Sequence, residues 1–278
     1  VQTRSSDFAR SVSETRSQVS DFMRSVQDSQ TAGGGVTTSF SDDQRDGQGR
    51  FQGPDGFLYE GGWADGQMSG EGKLTYPDGS VYEGQFANGQ THGTGTITYA
   101  DGSTYEGTWK AGVIEGNGTA RYANGVTYEG SFVNAKNEGF GIMTYADGYR
   151  YEGEWKAGEM CGDGVLTTPS GTRYEGEMYR GRYHGQGKLT HPNGDFYAGN
   201  FQMGMKHGEG LYAYGDGSQY AGAWATDQRH GSGTYNFADG RIYEGQFAGG
   251  RIHGQGKMTY PDGTVKEGKF LYGKYNGK

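Results

Sequence analysis

Aromatic residues and glycines recur along this chain in a fixed order, and equivalent positions lie 23 residues apart. Each repeat reads Tyr-Glu-Gly-x-Trp/Phe, then Gly, Gly-x-Gly, Leu/Ile-x-Tyr and Pro/Ala-Asp/Asn-Gly. Two short segments per repeat alternate between apolar and polar positions and are rich in Tyr, Trp, Phe and Thr, which is typical of β-strands. A constant period of this size indicates stacked identical units. The ten clear repeats begin at Tyr59, Tyr82, Tyr105, Tyr128, Tyr151, Tyr174, Tyr197, Tyr220, Tyr243 and Lys266.

A degenerate repeat precedes Tyr59, because Phe40 and Gly47 stand where Trp63 and Gly70 stand one repeat later. The last repeat stops at Gly277, within its second half. No insertion or deletion interrupts the frame, so the pattern predicts about eleven units over residues 36–278.

The Pro-Asp-Gly segment that joins the two strands is expected to form a tight loop. A three-residue loop at Pro77-Asp78-Gly79 would combine a type I turn with a left-handed glycine, whereas the alternative is a two-residue Asp-Gly turn. With three loop residues, Leu74 pairs with Tyr82 and the apolar side chains share one face, with Glu83 on the other. Because register keeps apolar residues together, we favour the three-residue loop.

The glycines have a packing role in this prediction. Gly72 would face Gly84 across the strands, which leaves a notch between large aromatic side chains, and Gly-x-Gly permits positive φ. A single hairpin is marginally stable, so each repeat must gain stability from its neighbours.

This signature resembles the MORN (membrane occupation and recognition nexus) repeat family over residues 36–278. The resemblance implies an all-β, elongated, single-layer antiparallel sheet built from one hairpin per repeat. It also implies a scaffolding or targeting role, with membrane binding proposed for some members.

The composition supports a thin sheet more than a large closed core. Only 32% of the residues are hydrophobic, yet 14% are aromatic, with 22 Tyr. The single cysteine, Cys161, excludes an internal disulfide framework and fits a reducing compartment, so we expect an intracellular protein, cytoplasmic, cytoskeletal or organellar. The chain begins with Val1, which leaves a removed presequence open.

The net charge of −8 argues against nucleic-acid binding and against strong attachment to anionic membranes. The residue after the repeat tyrosine is Glu in eight of ten repeats and is expected on the face away from the aromatics. This acidic stripe is either a solvated surface or a docking strip for a basic partner. Its members are Glu60, Glu83, Glu106, Glu129, Glu152, Glu175, Glu244 and Glu267.

Residues 1–30 contain no Gly or Pro and form a separate segment, which residues 31–35 join to the repeats as a flexible hinge. Five apolar residues at helical spacing predict an amphipathic helix. It would cap the chain's own first repeats, bind another protein, or form a coiled-coil dimer. The apolar stripe is Phe8, Val12, Val19, Phe22 and Val26.

The sequence predicts no catalytic residues, no cofactor and no metal. Five histidines share one repeat position, but equivalent positions in successive repeats lie ~10 Å apart, too far for one metal to bridge. Gly-x-Gly occurs without the strand-to-helix context of a nucleotide-binding loop. The histidines are His92, His184, His207, His230 and His253.

The array is least regular at about residues 160–200. Met178 replaces the aromatic, and Thr168 and His191 replace the second-strand tyrosine, while Ala135 and Asp227 replace turn glycines elsewhere. These departures indicate either drift in a tolerant repeat or a local groove for a partner.

We therefore expect a non-enzymatic scaffold, a subunit of an oligomer or larger complex that binds other proteins through its N-terminal helix and its aromatic face, which a single-layer sheet would leave exposed. A peripheral membrane module that binds phospholipid head groups is the alternative, and an aromatic-lined carbohydrate-binding protein is a third. The candidate partner-binding residues are Trp63, Tyr82, Phe86, Tyr105, Trp109, Tyr128, Phe132, Tyr151 and Trp155. The candidate lipid-binding residues are Lys266, Lys269, Lys274 and Lys278.

Overall fold

The structure, a computed structural model, describes residues 46–53 and 56–277, and these residues form 21 β-strands in two compact units. The described residues of unit 1 are 46–53, 56–146 and 155–159. Its strands are β1 Gly47–Gln52, β2 Leu58–Ala64, β3 Gln67–Thr75, β4 Val81–Ala87, β5 Gln90–Thr98, β6 Thr104–Lys110, β7 Val113–Arg121, β8 Thr127–Val133 and β9 Lys136–Thr144.

Unit 2 comprises residues 147–154 and 160–277 of the described chain, so β10 (Arg150–Lys156) falls at the division between the units. Its other strands are β11 Glu159–Thr167, β12 Arg173–Tyr179, β13 Arg182–Thr190, β14 Phe196–Gln202, β15 Met205–Ala213, β16 Gln219–Ala225, β17 Gln228–Asn236, β18 Ile242–Ala248, β19 Arg251–Thr259, β20 Val265–Leu271 and β21 Lys274–Tyr275.

Each strand pairs antiparallel with its neighbour in sequence, from β1 to β9 in unit 1 and from β11 to β21 in unit 2. The prediction of an all-β antiparallel array with one 23-residue hairpin repeat is confirmed. Residues 46–53 and 56–277 include no helix long and apolar enough to span a bilayer. The predicted helical segment at 1–30 and the hinge at 31–35 lie outside the described residues.

The loop that links one repeat to the next has three residues, as the apolar pattern predicted. The Tyr76 N–H donates to the Ser80 carbonyl at 2.8 Å, and the Gly79 N–H donates to the Tyr76 carbonyl at 3.0 Å. Gly79 has φ 88°, the left-handed conformation. The register that follows pairs Leu74 with Tyr82, so the large apolar residues of both strands share one face.

The hairpin inside each repeat closes with a two-residue turn in which both residues have positive φ. In the first clear repeat these are Asp65 at 49° and Gly66 at 70°, and Ala64 pairs with Gln67. This is the type I′ geometry, whose twist matches that of the flanking strands and which favours Asn-Gly. Two repeats place alanine at the first turn position, Ala111 at φ 48° and Ala157 at φ 51°.

We expect Ala111→Asn to raise the free energy of unfolding by about 0.5–1 kcal/mol, because Asn adopts the left-handed conformation at lower cost than Ala. The chain already uses Asn88 at the equivalent position, with φ 50°. Urea denaturation measures the change. Ala100→Asn, at a loop residue outside the positive-φ set, is the control, and an equal gain there would refute the conformational explanation.

Gly-x-Gly lies in the middle of a strand, where it forms a β-bulge. Gly61 pairs with Gly72 and Trp63 with Met68, so three residues of β3 oppose one residue of β2. The first glycine of the motif, Gly70, has φ 71°. The bulge leaves backbone groups off the strand ladder, and the side chain opposite often satisfies them. Gln85, for example, accepts the Thr94 N–H at 3.1 Å.

The repeat tyrosine lies across the paired glycines. A Cβ added to Gly72 would meet Tyr59 Cε2 at 2.6 Å, so the ring occupies the space that the missing side chain leaves. The Tyr59 hydroxyl donates to the Gly62 carbonyl at 2.9 Å. The equivalent bond, to the carbonyl three residues on, recurs in the next eight repeats. Each glycine pair is therefore a seat for one tyrosine ring.

Candidate protein-binding surface

The aromatic rings of the repeat form the core of each unit within one layer of sheet. Most repeat tyrosines pack edge-on against the Trp or Phe of their own repeat and against that of the next, as Tyr82 does with Phe86 at 5.1 Å and with Trp109 at 5.1 Å between ring centroids. Edge-to-face pairs at this spacing are favourable beyond the area they bury. The Trp109 indole N–H also donates to the Gly95 carbonyl at 3.2 Å.

The rings that the sequence marked for partner binding are buried. A single layer was expected to leave them exposed, and that expectation is wrong, because neighbouring rings and the glycine seats enclose them. That these rings take part in partner binding stays a prediction, and they would do so through the residues beside them. The side chains that are 5% exposed or less are those of Trp63, Tyr82, Phe86, Tyr105, Trp109, Tyr128, Phe132, Tyr151 and Trp155.

Two rows of side chains flank these rings on the same face. The Trp-flanking row consists of the residues that pair with the repeat Trp or Phe (Met in one repeat) from the following strand, in the four repeats that begin at Tyr59 to Tyr128 and the four that begin at Tyr174 to Tyr243. It contains Met68, Thr91, Ile114 and Asn137 in unit 1, and Tyr183, Lys206, Arg229 and Ile252 in unit 2. The Tyr-flanking row consists of the residues that pair with the repeat tyrosine from the following strand in the same eight repeats. It contains Leu74, Ile97, Ala120 and Met143 in unit 1, and Leu189, Tyr212, Tyr235 and Met258 in unit 2.

The flanking rows differ between the two units. In unit 1 all eight residues are 6% exposed or less. In unit 2 seven of the eight are half-buried, and Met258 alone is buried, at 5%. Unit 2 also carries two cations in the Trp-flanking row, where unit 1 has uncharged residues. The accessible aromatic surface therefore lies in unit 2.

Lys206 and Arg229 lie among rings. The Lys206 ammonium is 5.6 Å from the Trp224 centroid and 5.7 Å from that of Tyr212. The Arg229 guanidinium carbon is 5.0 Å from the Tyr235 centroid. These are cation–π distances.

Each cation also has one polar partner in its unit. Lys206 Nζ lies 3.4 Å from Asp227 Oδ1, and Arg229 donates through Nε and Nη2 to the Gly250 carbonyl at 3.1 and 2.6 Å. The guanidinium has five N–H donors. Arg229 thus keeps further donors for a bound acceptor.

Two tyrosines of the Tyr-flanking row add hydroxyl groups to this surface. Tyr212 donates to Asp195 Oδ2 at 3.3 Å, and Tyr235 donates to Ser218 Oγ at 3.2 Å. Burial, followed by the negative charge of Asp195, raises the pKa of Tyr212 to about 12. The hydrogen bond from the Gly215 N–H holds the pKa of Asp195 below its usual range. The surface therefore combines half-exposed rings, two cations and two hydroxyl groups that hydrogen bonds to a carboxylate or a serine hold in place.

The acidic stripe lies on the opposite face, as expected, and basic residues interrupt it. Lys73 pairs with Glu60 and Glu83 across neighbouring strands, and its Nζ lies 2.6 Å from Glu83 Oε1. Only Glu106 and Glu129 have uncharged cross-strand neighbours on both sides within unit 1. Exposed pairs of this kind contribute little to stability, and the basic neighbours offset only part of the negative charge of the stripe.

The candidate lipid-binding lysines do not share one face. Lys266 pairs with Met258 in the aromatic face, and its ammonium lies 5.4 Å from the Tyr260 centroid. Lys269 pairs with Gln255 on the outer face. Lys274 is exposed in β21, and Lys278 lies outside the described residues.

The histidine position has a structural role that the sequence analysis missed. In four of the clear repeats its side chain accepts the backbone N–H of the first turn residue 19 positions later, as His92 Nδ1 does from Ala111 at 3.4 Å and Glu138 Oε2 does from Ala157 at 2.8 Å. Glu and His both occur at this position, and both can supply an acceptor. The fixed spacing to the positive-φ turn was the signal that could have revealed it. Among the described residues, no group of three or more His, Cys, Asp or Glu is arranged to hold a metal.

Comparisons with known proteins point to one repeat family. The family model for the MORN repeat matches ten segments, residues 39–57, 59–81, 82–104, 105–127, 128–148, 151–173, 174–196, 197–219, 220–240 and 243–265. No curated protein matches the chain significantly.

Two solved structures of one zebrafish protein were also compared with the chain. The TCP10 domain of Danio rerio CPAP bound to a STIL peptide is 14% identical, with 85% of this chain and 100% of that chain covered and a TM-score of 0.43. The same domain without the peptide gives 14% identity, 80% and 99% coverage and a TM-score of 0.41. These scores are too low to transfer a fold or a function.

Proposed function

The chain belongs to the MORN repeat family, and from this premise we propose that it is a non-enzymatic scaffold that binds protein partners within a larger assembly. The partner surface is the half-exposed aromatic face of unit 2, formed by its two flanking rows. The N-terminal segment, residues 1–30, is a second element of the scaffold. An intracellular location fits this role and stays a prediction.

The observation that carries this proposal is the half-exposure of the unit 2 flanking rows. A row of accessible tyrosines offers large, rigid contact area that loses little side-chain entropy on binding, and tyrosine and arginine are enriched among binding hot spots. The same positions in unit 1 are buried. Partner binding therefore centres on Tyr183, Lys206, Tyr212, Arg229 and Tyr235.

The chemistry of this surface favours an acidic segment with interspersed apolar residues. Lys206 and Arg229 present positive charge between rings, and a carboxylate that approaches Arg229 would form a charge-assisted hydrogen bond. Leucine or phenylalanine side chains of the partner would pack against Tyr212 and Tyr235. A basic partner would instead meet two like charges on this face.

We expect the full chain to bind immobilised 15-residue peptides that combine Asp or Glu with Leu or Phe, and to bind Lys-substituted counterparts at least ~10-fold more weakly. Lys206→Met with Arg229→Met should reduce binding of the acidic peptides by ~10-fold or more. Methionine suits the fold, because Met68 and Met160 occupy the same row of the repeat. Biolayer interferometry at two salt concentrations measures both effects.

The matched control is Lys188→Met with Lys257→Met, which removes the same charge from the outer face, where both lysines pair with glutamates. Equal loss of binding in the control would show a general effect of net charge and would contradict the proposed surface. Preference for the basic peptides would assign binding to the acidic stripe. Salt-sensitive sedimentation with vesicles containing phosphoinositides, in the absence of peptide binding, would favour the membrane alternative instead.

A further inference from the structure

The aromatic face of unit 1 is more deeply buried than one layer of sheet explains. Its described strands contact their neighbours in a single sheet, yet Met68, Leu74, Ile97, Ile114 and Ala120 all have 0% exposure. Strand pairing buries backbone groups and side-chain flanks, but it leaves the tops of side chains open to solvent. A covering group is needed over this face.

Unit 2 provides the internal comparison. It is built from the same repeat, with the same loops and the same ring spacing, since Tyr82–Trp109 and Tyr197–Trp224 lie 5.1 and 5.2 Å apart. Its flanking rows are nevertheless half-exposed even where the residue is the same, as with Ile252 in the place of Ile114 and Leu189 in the place of Leu74. The strand pairing and ring packing that both units share therefore do not account for the burial in unit 1.

The buried face of unit 1 is suited to an apolar occupant. Of its eight flanking residues, six are apolar and only Thr91 and Asn137 are polar, and none is charged. The adjoining row of second-strand tyrosines is also buried at its start, with Tyr76 at 2% and Tyr99 at 6% exposure. A charged or hydrated segment would lose its solvation there without compensation.

The chain contains a segment with matching properties outside the described residues. Residues 6–26 carry the apolar stripe at helical spacing, and 21 helical residues would measure ~31 Å. The buried Trp-flanking row of unit 1, from Met68 to Asn137, extends over three repeats, or ~29 Å at two strands per repeat. Residues 27–45 number 19, enough to reach ~60 Å when extended, so the tether does not restrict where the segment lies.

We propose that residues 6–26 dock as an amphipathic helix on the aromatic face of unit 1 of the same chain, with Phe8, Val12, Val19, Phe22 and Val26 against its flanking rows. The charged residues of the segment then face solvent. Self-docking covers the apolar half of the repeat surface and leaves the cationic, half-exposed half for partners. The proposal is independent of which partner binds unit 2.

Methionine oxidation tests this proposal, because the chain carries reporters at the required places. Met68 and Met143 lie under the proposed helix at 0% and 6% exposure, whereas Met203 is 39% exposed and Met178 is buried in unit 2 at 4%. In the intact chain treated with dilute peroxide, mass spectrometry should show Met68 oxidised at least ~10-fold more slowly than Met203. Phe8→Asp with Phe22→Asp should abolish that difference while Met178 stays protected.

The control variant is Ser13→Asp with Ser17→Asp, which adds the same charge on the polar side of the predicted helix and should leave Met68 protected. Persistence of Met68 protection in the Phe8→Asp, Phe22→Asp variant would overturn the proposal. Loss of Met68 protection in the intact chain on dilution, together with a concentration-dependent mass in light scattering, would assign the occupant to a second copy and would also overturn it.

A second measurement covers the case in which the aspartate variant unfolds. Phe22→Cys with Ile97→Cys, in a Cys161→Ser background, should form an intramolecular disulfide under mild oxidation, while Ser17→Cys with Ile97→Cys should not. Equal cross-linking of both pairs, or cross-linking only between chains, would contradict self-docking.

Discussion

Gly118→Ala should destabilise the repeat array by about 3 kcal/mol, at the upper end of the usual cost of overpacking. The added Cβ would lie 2.5 Å from Tyr105 Cε2 and 2.6 Å from Tyr105 Cζ. The ring cannot move aside easily, because its hydroxyl donates to the Thr108 carbonyl and its edge packs against Phe132 at 5.1 Å. The midpoint of urea denaturation, followed by circular dichroism, measures the loss.

Gly102→Ala is the matched control for backbone conformation. Gly102 has φ 84° and nothing within 4 Å of an added Cβ, so its substitution should cost only the ~1–2 kcal/mol of a left-handed alanine. Combining Gly118→Ala with Tyr105→Ala should cost less than the sum of the two single changes, because the second removes the clash of the first. Strict additivity would show that Gly118 is not a seat for Tyr105.

The register of the hairpins followed from the sequence because one physical requirement decided it. A two-residue Asp-Gly turn would have placed Leu74 opposite Glu83 and divided the apolar residues between the faces. The observed pairing of Leu74 with Tyr82 keeps them together. The regular 23-residue frame extended this one decision to every repeat, so a single argument predicted all the linking loops.

The burial of the rings could not be predicted from the sequence, although the glycines and tyrosines responsible for it were recognised there. The notch at paired glycines was predicted, but its filling by the tyrosine of the same repeat depends on a side-chain rotamer that periodicity does not reveal. Tyr59 turns along the strand over Gly72 and reaches the Gly62 carbonyl. A ring that would project from the sheet thereby becomes part of its core.

The difference in exposure between the flanking rows of the two units could not be predicted from the repeat pattern either. Residues 160–200 are the least regular part of the repeat sequence, and the half-exposed flanking rows begin with Tyr183 in that range. The substitutions that change the surface chemistry, Lys206 and Arg229, occupy a position outside the repeat signature. Their importance depends on the rings beside them, which only the register of the strands brings together.

Alkaline pH should unfold the array cooperatively. Burial is the main reason that the pKa values of the repeat tyrosines, including Tyr82, Tyr105 and Tyr128, are raised. It raises the pKa of Tyr220 to about 12. An exposed tyrosine in the unfolded chain ionises near pH 10. The folded array therefore favours the neutral phenols, and their contribution to stability is fully present below about pH 10 and is lost as the pH rises from 10 towards 12.

Because many rings must ionise together when the sheet opens, the slope of stability against pH adds over the tyrosines involved. We expect a transition complete within about one pH unit, with far-ultraviolet circular dichroism and tyrosinate absorbance changing at the same pH. Return to about pH 8 should restore both signals. Gradual ionisation of most tyrosines near pH 10, with the circular dichroism of the sheet unchanged, would show that solvent reaches the rings in the folded state. The hydroxyl groups of Tyr82 and its equivalents would then lose their protons while the rings remain on the paired glycines. Such rings would be open to solvent and would not form a buried core.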